Sequence, residues 1–271
     1  MAGLNCRMIT CLTIAFMLFP HSACGQNTKG KTNTTIEMET TSEKVASKMK
    51  VEVWSDIMCP FCYIGKRNYE AALKQFADSN DIEIVWKSFQ LDPDITQEAG
   101  KKVNVYQYLA DRKGWSYEQS VKMHETVVQT AKNAGLEYNF DKAIVANSFN
   151  AHRLIQMAKT KGLGDKAEER FFFAYFTEGK DLGNPGVLTE LGKEIGLTET
   201  DIKDALTNDE YAYSVNQDIQ EAQNIGVNGV PFFVFNRKYA ISGAQPIEYF
   251  LKTLEKSFAE WQKGNMVANP E

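Results

Sequence analysis

Metal-binding residues are scarce in this chain, with three histidines and five cysteines among 271 residues. His124 and His152 lie far apart and outside any ligand-spaced motif, and no second Cys-x-x-Cys accompanies the pair at Cys59 and Cys62. That argues against a zinc site, and no metal is expected. Basic excess is missing too. With 30 Lys and Arg against 35 Asp and Glu, the formal net charge of -5 removes the electrostatic footprint of a nucleic-acid binder. No Gly-rich phosphate loop of the P-loop or dinucleotide type is present, so no nucleotide cofactor is indicated. The apolar run from Met8 to Phe19 falls short of the roughly 20 residues that cross a bilayer as a stable helix.

That run is nevertheless informative. Arg7 precedes it, and Pro20 and the small-residue stretch Ser22-Ala23-Cys24-Gly25-Gln26 follow it, which is the order of a secretory signal peptide over residues 1–25. Two processing outcomes compete. Ala23-Cys24-Gly25 fits a small-x-small cleavage site, whereas Ser22-Ala23-Cys24 fits a lipoprotein box that would lipidate Cys24, although His21 stands where an aliphatic residue is usual. An uncleaved short anchor is the third outcome. All three place the globular part outside the cytoplasm, periplasmic or anchored as a lipoprotein. Residues 26–48 are rich in Thr, Lys, Ser and Glu with almost no large apolar side chain, and read as a flexible tether.

Export changes the cysteine arithmetic. Cys6 and Cys11 leave with the signal segment, and Cys24 is lipidated or removed, so Cys59 and Cys62 remain for the whole folded region. Their surroundings carry the meaning. Val51–Trp54 alternates as a strand, Ser55–Met58 is a loop, and a helical pattern runs from Tyr63 to Phe76. Pro60 suits the first helical position, which puts Cys59 at the N-cap, where free N–H groups and the helix dipole stabilise a thiolate. Cys59 is expected to be the attacking, exposed sulfur. Cys62, one turn inside the helix, is close enough to close a disulfide and is the expected resolving thiol. A purely structural link across so short a loop would constrain the unfolded chain only modestly.

The rest of the chain supplies an α/β frame for the pair. Ile82–Lys87 reads as a second strand, parallel to the first across one helix. Phe232–Phe235 and Tyr239–Ser242 read as a hairpin around Asn236-Arg237-Lys238, and Pro246 opens a last amphipathic helix ending near Lys263. This is a thioredoxin layout over 49–263, with strand order 2-1-3-4. Between strand two and the hairpin, at about 95–225, the periodicity is helical near 104–113, 116–134, 143–161, 164–179, 185–196 and 209–225, which predicts a large all-helical insertion. The aromatic run Phe171, Phe172, Phe173, Tyr175 and Phe176 falls there at helical spacing, so most of it is expected in a core, with a peptide groove as the other reading.

Four separated motifs then point to one family. Ser55-Asp56 ahead of Cys59-Pro60-Phe61-Cys62-Tyr63-Ile64-Gly65 resembles the FrnE-like branch of the DsbA thiol-disulfide oxidoreductases. So do Phe89–Asp94, Asn147–Leu154 and Gly226–Phe233, and the similarity covers about residues 49–260. The resemblance implies a cis Val230–Pro231 bond beside the redox pair, with the Val230 backbone pairing with an extended substrate. It brings His152 forward through the Asn147–Leu154 motif, although a lone helical histidine is more often a packed or surface residue. Asp56, three residues before Cys59, reads equally as a nearby base and as a loop cap. Pro60 and Phe61 are expected to shape the site. Phe61 stands where the strongly oxidising DsbA pattern has histidine, which removes a cationic partner for the thiolate and implies a weaker oxidant.

The expected reaction is thiol-disulfide exchange, with a redox-active Cys59–Cys62 disulfide and no further cofactor. Expected partners are cysteine-containing exported proteins or peptides and a redox partner that recycles the pair, with glutathione as a further candidate and no nucleic acid. Two rivals remain open at this stage. One is a glutathione-dependent isomerase or transferase of the kappa-like branch, whose members resemble the same fold but normally carry serine at the position of Cys59. The other is a nonenzymatic binding or chaperone module that uses the helical lobe.

Overall fold

The structure, a computed structural model, describes residues 48–96 and 103–268. The predicted leader, Cys24 and the tether up to residue 47 lie outside them.

Strand β1 (Met49–Ser55) and strand β2 (Ile82–Ser88) pair in parallel, from Met49 opposite Ile82 to Ser55 opposite Ser88. A parallel pair needs a crossover, and helix α1 (Pro60–Gln75) supplies it. Strands β3 (Phe232–Phe235) and β4 (Tyr239–Ser242) form the expected hairpin, and β3 lies antiparallel to β1, giving the order β2-β1-β3-β4. Asn236 and Arg237 adopt φ of 49° and 54°, and the Lys238 N–H donates to the Phe235 carbonyl at 3.0 Å. Positive φ at both central residues is the turn geometry that follows the natural strand twist.

The last helix of the chain, Ile247–Ala268, runs beyond its expected end near Lys263 and packs along α1. Between them they cover one face of the sheet: Tyr69, Ala72 and Phe76 meet Phe250, Leu254 and Phe258 over Phe233 and Phe235.

The insertion contributes α2 (Val105–Lys113), α3 (Tyr117–Asn133), α4 (Phe149–Thr160), α5 (Gly164–Phe173), α6 (Pro185–Ile195), α7 (Glu199–Thr207) and α8 (Asp209–Asn224). The Ile247–Ala268 helix is therefore α9. A π-helical turn, Ala174–Glu178, prolongs α5. Two details depart from the periodicity. The helix expected from 143 starts at Phe149, because Ile144 bridges antiparallel to Asn104 and the Asn147 side chain is tied to the Pro93 and Ile95 carbonyls, holding that segment extended. Helix α7 was not anticipated, although Thr198 and Asp201 form the reciprocal capping box that announces a helix start.

Insertion and sheet are locked together by buried polar contacts. Asp218 of α8 accepts from the Ser88 N–H at 3.0 Å and from Gln156 Nε2 at 2.6 Å, and pairs with Lys87 at 2.9 Å. The Trp54 indole donates to the Asp218 carbonyl at 2.8 Å. The fold is α/β, a thioredoxin-like sheet with a helical insertion between β2 and the hairpin.

Candidate active site

β1 carries the chain to the top of the sheet, and the loop after it turns back into α1. Cys59 is the N-cap of α1, with φ -88° and ψ 112°, and Pro60 occupies the first turn, where a missing N–H costs nothing. The Cys59 N–H donates to the Asp56 carbonyl at 2.9 Å, and the Cys62 N–H to the Cys59 carbonyl at 3.0 Å. Both cysteines are thiols in this structure. Opposite them, the Val230–Pro231 peptide is cis, and the Cys59 thiol donates to the Val230 carbonyl at 3.4 Å. Gly65 makes this approach possible: a Cβ there would lie 3.0 Å from Pro231 Cγ and 3.4 Å from the Phe233 ring.

The expectation of an exposed Cys59 is corrected. Its residual exposure is 4%, against 1% for Cys62, because the Val230 loop covers one side of the sulfur and insertion residues cover the other. Burial pushes the Cys62 thiol up, and Cys59 beside it reinforces the shift; the Asp56 backbone and the Ser55 hydroxyl oppose it. Phe61, between the cysteines, is the exposed member of the motif, at 43%.

Asp56 is almost fully buried, and both its carboxylate oxygens accept backbone N–H groups, from Met58 at 3.2 Å and from Leu91 at 2.8 Å. That is the geometry of a loop cap. Its Oδ1 also faces His152 Nε2 at 3.6 Å, beyond hydrogen-bond range. His152 is completely buried on α4, and neither ring nitrogen has a hydrogen-bond partner.

Beside Cys59 opens a cavity of about 430 Å³, lined among others by Cys59, Phe61, Leu91, Leu109, Trp115 and Met123. Phe61, Leu91, Trp115 and Met123 are four of the large apolar side chains that the protein leaves exposed. Their gathering at one mouth is the informative fact, since isolated exposed hydrophobics need no explanation. Most of the aromatic run lies elsewhere: Phe171, Phe172, Tyr175 and Phe176 are in the insertion core, and only Phe173 is exposed. Among these, Tyr175 also reaches the cavity wall.

Several site neighbours escaped sequence reasoning. Tyr138 donates its hydroxyl to the Pro60 carbonyl at 2.7 Å, pinning the first turn of α1. Lys66, 2% exposed, pairs with Glu70, with Asp165 at 3.3 Å and with Glu169 at 3.1 Å. Glu168 is buried with both carboxylate oxygens unbonded; burial lifts its carboxyl to about 7, against the pull of His152 and Lys66. The i, i+4 spacing of Lys66 and Glu70 was visible as a helix pair, but Glu168 sits in a run of charges that reads as a solvated face. Among the described residues no group of three or more His, Cys, Asp or Glu could hold a metal ion.

The model of the DSBA-like thioredoxin domain matches residues 50–255. The chain belongs to the DsbA family. A probable DsbA oxidoreductase from Streptomyces coelicolor is similar at 34% identity and TM-score 0.73, over 78% of this chain and 91% of that one. The Bacillus subtilis (strain 168) protein YwbO is 28% identical over 216 residues, 79% of this chain and 97% of its own. The cytosolic disulfide reductase DsbM from Pseudomonas aeruginosa, at 19% identity and TM-score 0.55 over 78% and 98% of the two chains, shares the fold. This DsbA-family chain is a protein disulfide oxidoreductase, and its Cys-x-x-Cys lies at the family's helix N-terminus.

Proposed function

We propose that the chain exchanges disulfides with cysteine-bearing polypeptides outside the cytoplasm, using Cys59 as the nucleophile and Cys62 as the resolving thiol. One observation carries this reading: the Cys59 sulfur sits at the N-terminus of α1, against the cis Val230–Pro231 loop, at the edge of an apolar cavity. The Cys59 sulfur sits at the positive end of the helix, whereas burial pushes the Cys62 thiol up. A client disulfide is attacked by Cys59, or a client thiolate attacks the oxidised pair, and the mixed disulfide is resolved within the site.

The apolar rim beside Phe61 supports polypeptide clients that carry apolar side chains next to cysteine. The Val230 backbone would align the client strand. The secretory leader read over residues 1–25 supports the exported setting, with Cys24 as the lipidation candidate. Phe61 between the cysteines supports a milder oxidant than a chain with a cation there.

The test is to equilibrate the chain against glutathione buffers of known potential and follow Cys59 and Cys62 by mass-shift alkylation, with Cys59→Ser as control. A reversible two-electron transition near or above roughly -180 mV marks an oxidase or isomerase, and one near roughly -270 mV a reductase. Absence of a reversible transition would sink the proposal.

A further inference from the structure

The cavity beside Cys59 carries a polar atom that the exchange reaction has not used. Its inner wall includes buried Val127, Phe140 and Val145. The carboxylates of its lining are already engaged: Asp56 accepts two backbone N–H groups, and Asp92 accepts from Tyr108 and Arg112. His124 of α3, on the same lining, is different. Its Nδ1 lies 2.8 Å from the Ser120 carbonyl, one turn back on the helix. A carbonyl can only accept, so the proton of the neutral ring sits on Nδ1 and Nε2 is a bare acceptor. Burial lowers the pKa of the ring, against the pull of the Ser120 carbonyl, and the neutral form prevails at pH 7.

Nε2 is open to the cavity. It has no hydrogen-bond partner among the described residues, yet, unlike both nitrogens of His152, it is not sealed in the interior. The ring is also held in place relative to the sulfurs. Tyr106 and Phe140 pack edge-on to it, with centroids at 4.8 and 4.6 Å. Phe140 meets Tyr138 at 5.6 Å, and the Tyr138 hydroxyl donates to the Pro60 carbonyl at 2.7 Å. Two aromatic rings therefore connect His124 to the first turn of α1, the turn that presents Cys59.

This lining selects its guest by chemistry. The guest must be apolar along its body, to displace water from Phe61, Leu91, Trp115 and Met123, and must bring a hydrogen-bond donor to its inner end. Phenylalanine or leucine would fill the space but take water from Nε2 without replacing it, which costs free energy. A carboxylate brings acceptors only, and a lysine strands its charge on an apolar wall. Tryptophan carries its N–H on the flank of the ring. Tyrosine has an apolar ring with the donor at its tip. The volume of about 430 Å³ is that of a site for one small group. An extended strand rises about 3.3 Å per residue, so a tyrosine one or two places from a cysteine bonded to Cys59 stands within reach of the cavity.

We propose that His124 makes this protein selective for clients with tyrosine within two residues of the reacting cysteine, its Nε2 accepting the tyrosine hydroxyl inside the cavity. This rests on the exchange reaction proposed above and names the clients it favours. His124 touches neither sulfur; it decides which side chain is held while the sulfurs react.

Two measurements test the assignment. The first is the second-order rate at which the oxidised chain reacts with single-cysteine peptides. These are identical except for tyrosine, O-methyltyrosine or phenylalanine at each of the two positions on either side of cysteine. At the best position, tyrosine should react roughly fivefold faster than the two residues that lack the donor. In His124→Leu that ratio should fall to about one. Equal rates for all three in the unaltered chain, or a ratio that survives His124→Leu, would overturn the proposal. The second keeps His124 intact: ring ¹⁵N spectra of a Cys62→Ser chain with the tyrosine or phenylalanine peptide trapped on Cys59. The His124 Nε2 resonance should move to a hydrogen-bonded position with tyrosine alone, and identical spectra would also overturn it. If no peptide reacts at all, the exchange reaction fails and this selectivity with it. Reaction with every peptide at one rate removes the tyrosine selectivity and leaves the exchange reaction standing.

Discussion

Helix α1 belongs to two cores, and they differ in kind. Toward the sheet, Tyr69, Ala72 and Phe76 join Phe233, Phe235 and Phe250 in a cluster built of apolar side chains. Toward the insertion, Cys59, Cys62, Tyr63 and Ile64 join the insertion's aromatic and aliphatic side chains, and beside that cluster lie buried Lys66, His152 and Glu168. The sheet side is scaffold, held by area removed from water. The insertion side sets what the sulfurs feel: cover, an apolar mouth and a buried set of charges. A Cys-x-x-Cys at a helix start on a thioredoxin sheet thus also borders the side chains of a lobe that contributes neither cysteine.

The strongest way to break this comparison is to damage each core alike. Phe172 of the insertion stacks on Tyr63 at 4.9 Å, and Phe250 of α9 packs edge-on to Phe233 at 4.8 Å. Phe172→Ala and Phe250→Ala should each cost about 3–5 kcal/mol in denaturant unfolding. Only Phe172→Ala should also shift the reduction potential of the pair; equal shifts from both would show that the cores act as one.

Adjacent carboxyls sharpen the contrast next. Glu168 is raised to about 7 by burial, so its folded value lies above its unfolded one, and stability falls as pH rises from about 4.5 through 7. The shift from 4.5 to about 7 corresponds to a loss on the order of 3 kcal/mol. Glu168→Gln should flatten that slope in melts between pH 5 and 8. For Glu169, burial works upward, but hydrogen bonds from Arg67 and Tyr63 hold it at about 2. Its stabilisation is present above about 4.5 and lost as pH falls through 2, so it adds nothing to the neutral slope.

Smaller effects follow at the surface. Trp115→Ala combined with Met123→Ala removes apolar rim, and should slow exchange with peptides bearing an aromatic residue beside cysteine about tenfold, through roughly 1.4 kcal/mol of lost burial. An unchanged kcat/KM would place client binding elsewhere. The least consequential change is Thr198→Ala, which removes the cap of α7 and should cost about 1 kcal/mol without altering exchange.

Legibility divides along the same line. The sheet, its order, the hairpin and the N-cap position of Cys59 could be read because each rests on neighbours in sequence: alternation, a turn signal, a proline at the first helical position. Most insertion helices were legible from periodicity, whereas the start of α4 was not, because a bridge from Asn104 to Ile144 holds its approach extended. Helix α7 was announced only by its capping box.

The sequence by itself determined that Cys59 and Cys62 stand at a helix start after a strand, since strand alternation and capping are local rules. Only the tertiary structure decided that Cys59 is covered, that four apolar side chains gather at its mouth, and that Glu168 loses its water next to His152. Those properties arise from segments up to about 170 residues apart meeting in space, as the 171-residue separation of Cys59 and Val230 shows. Desolvation depends on who arrives at a site, and no local pattern encodes that.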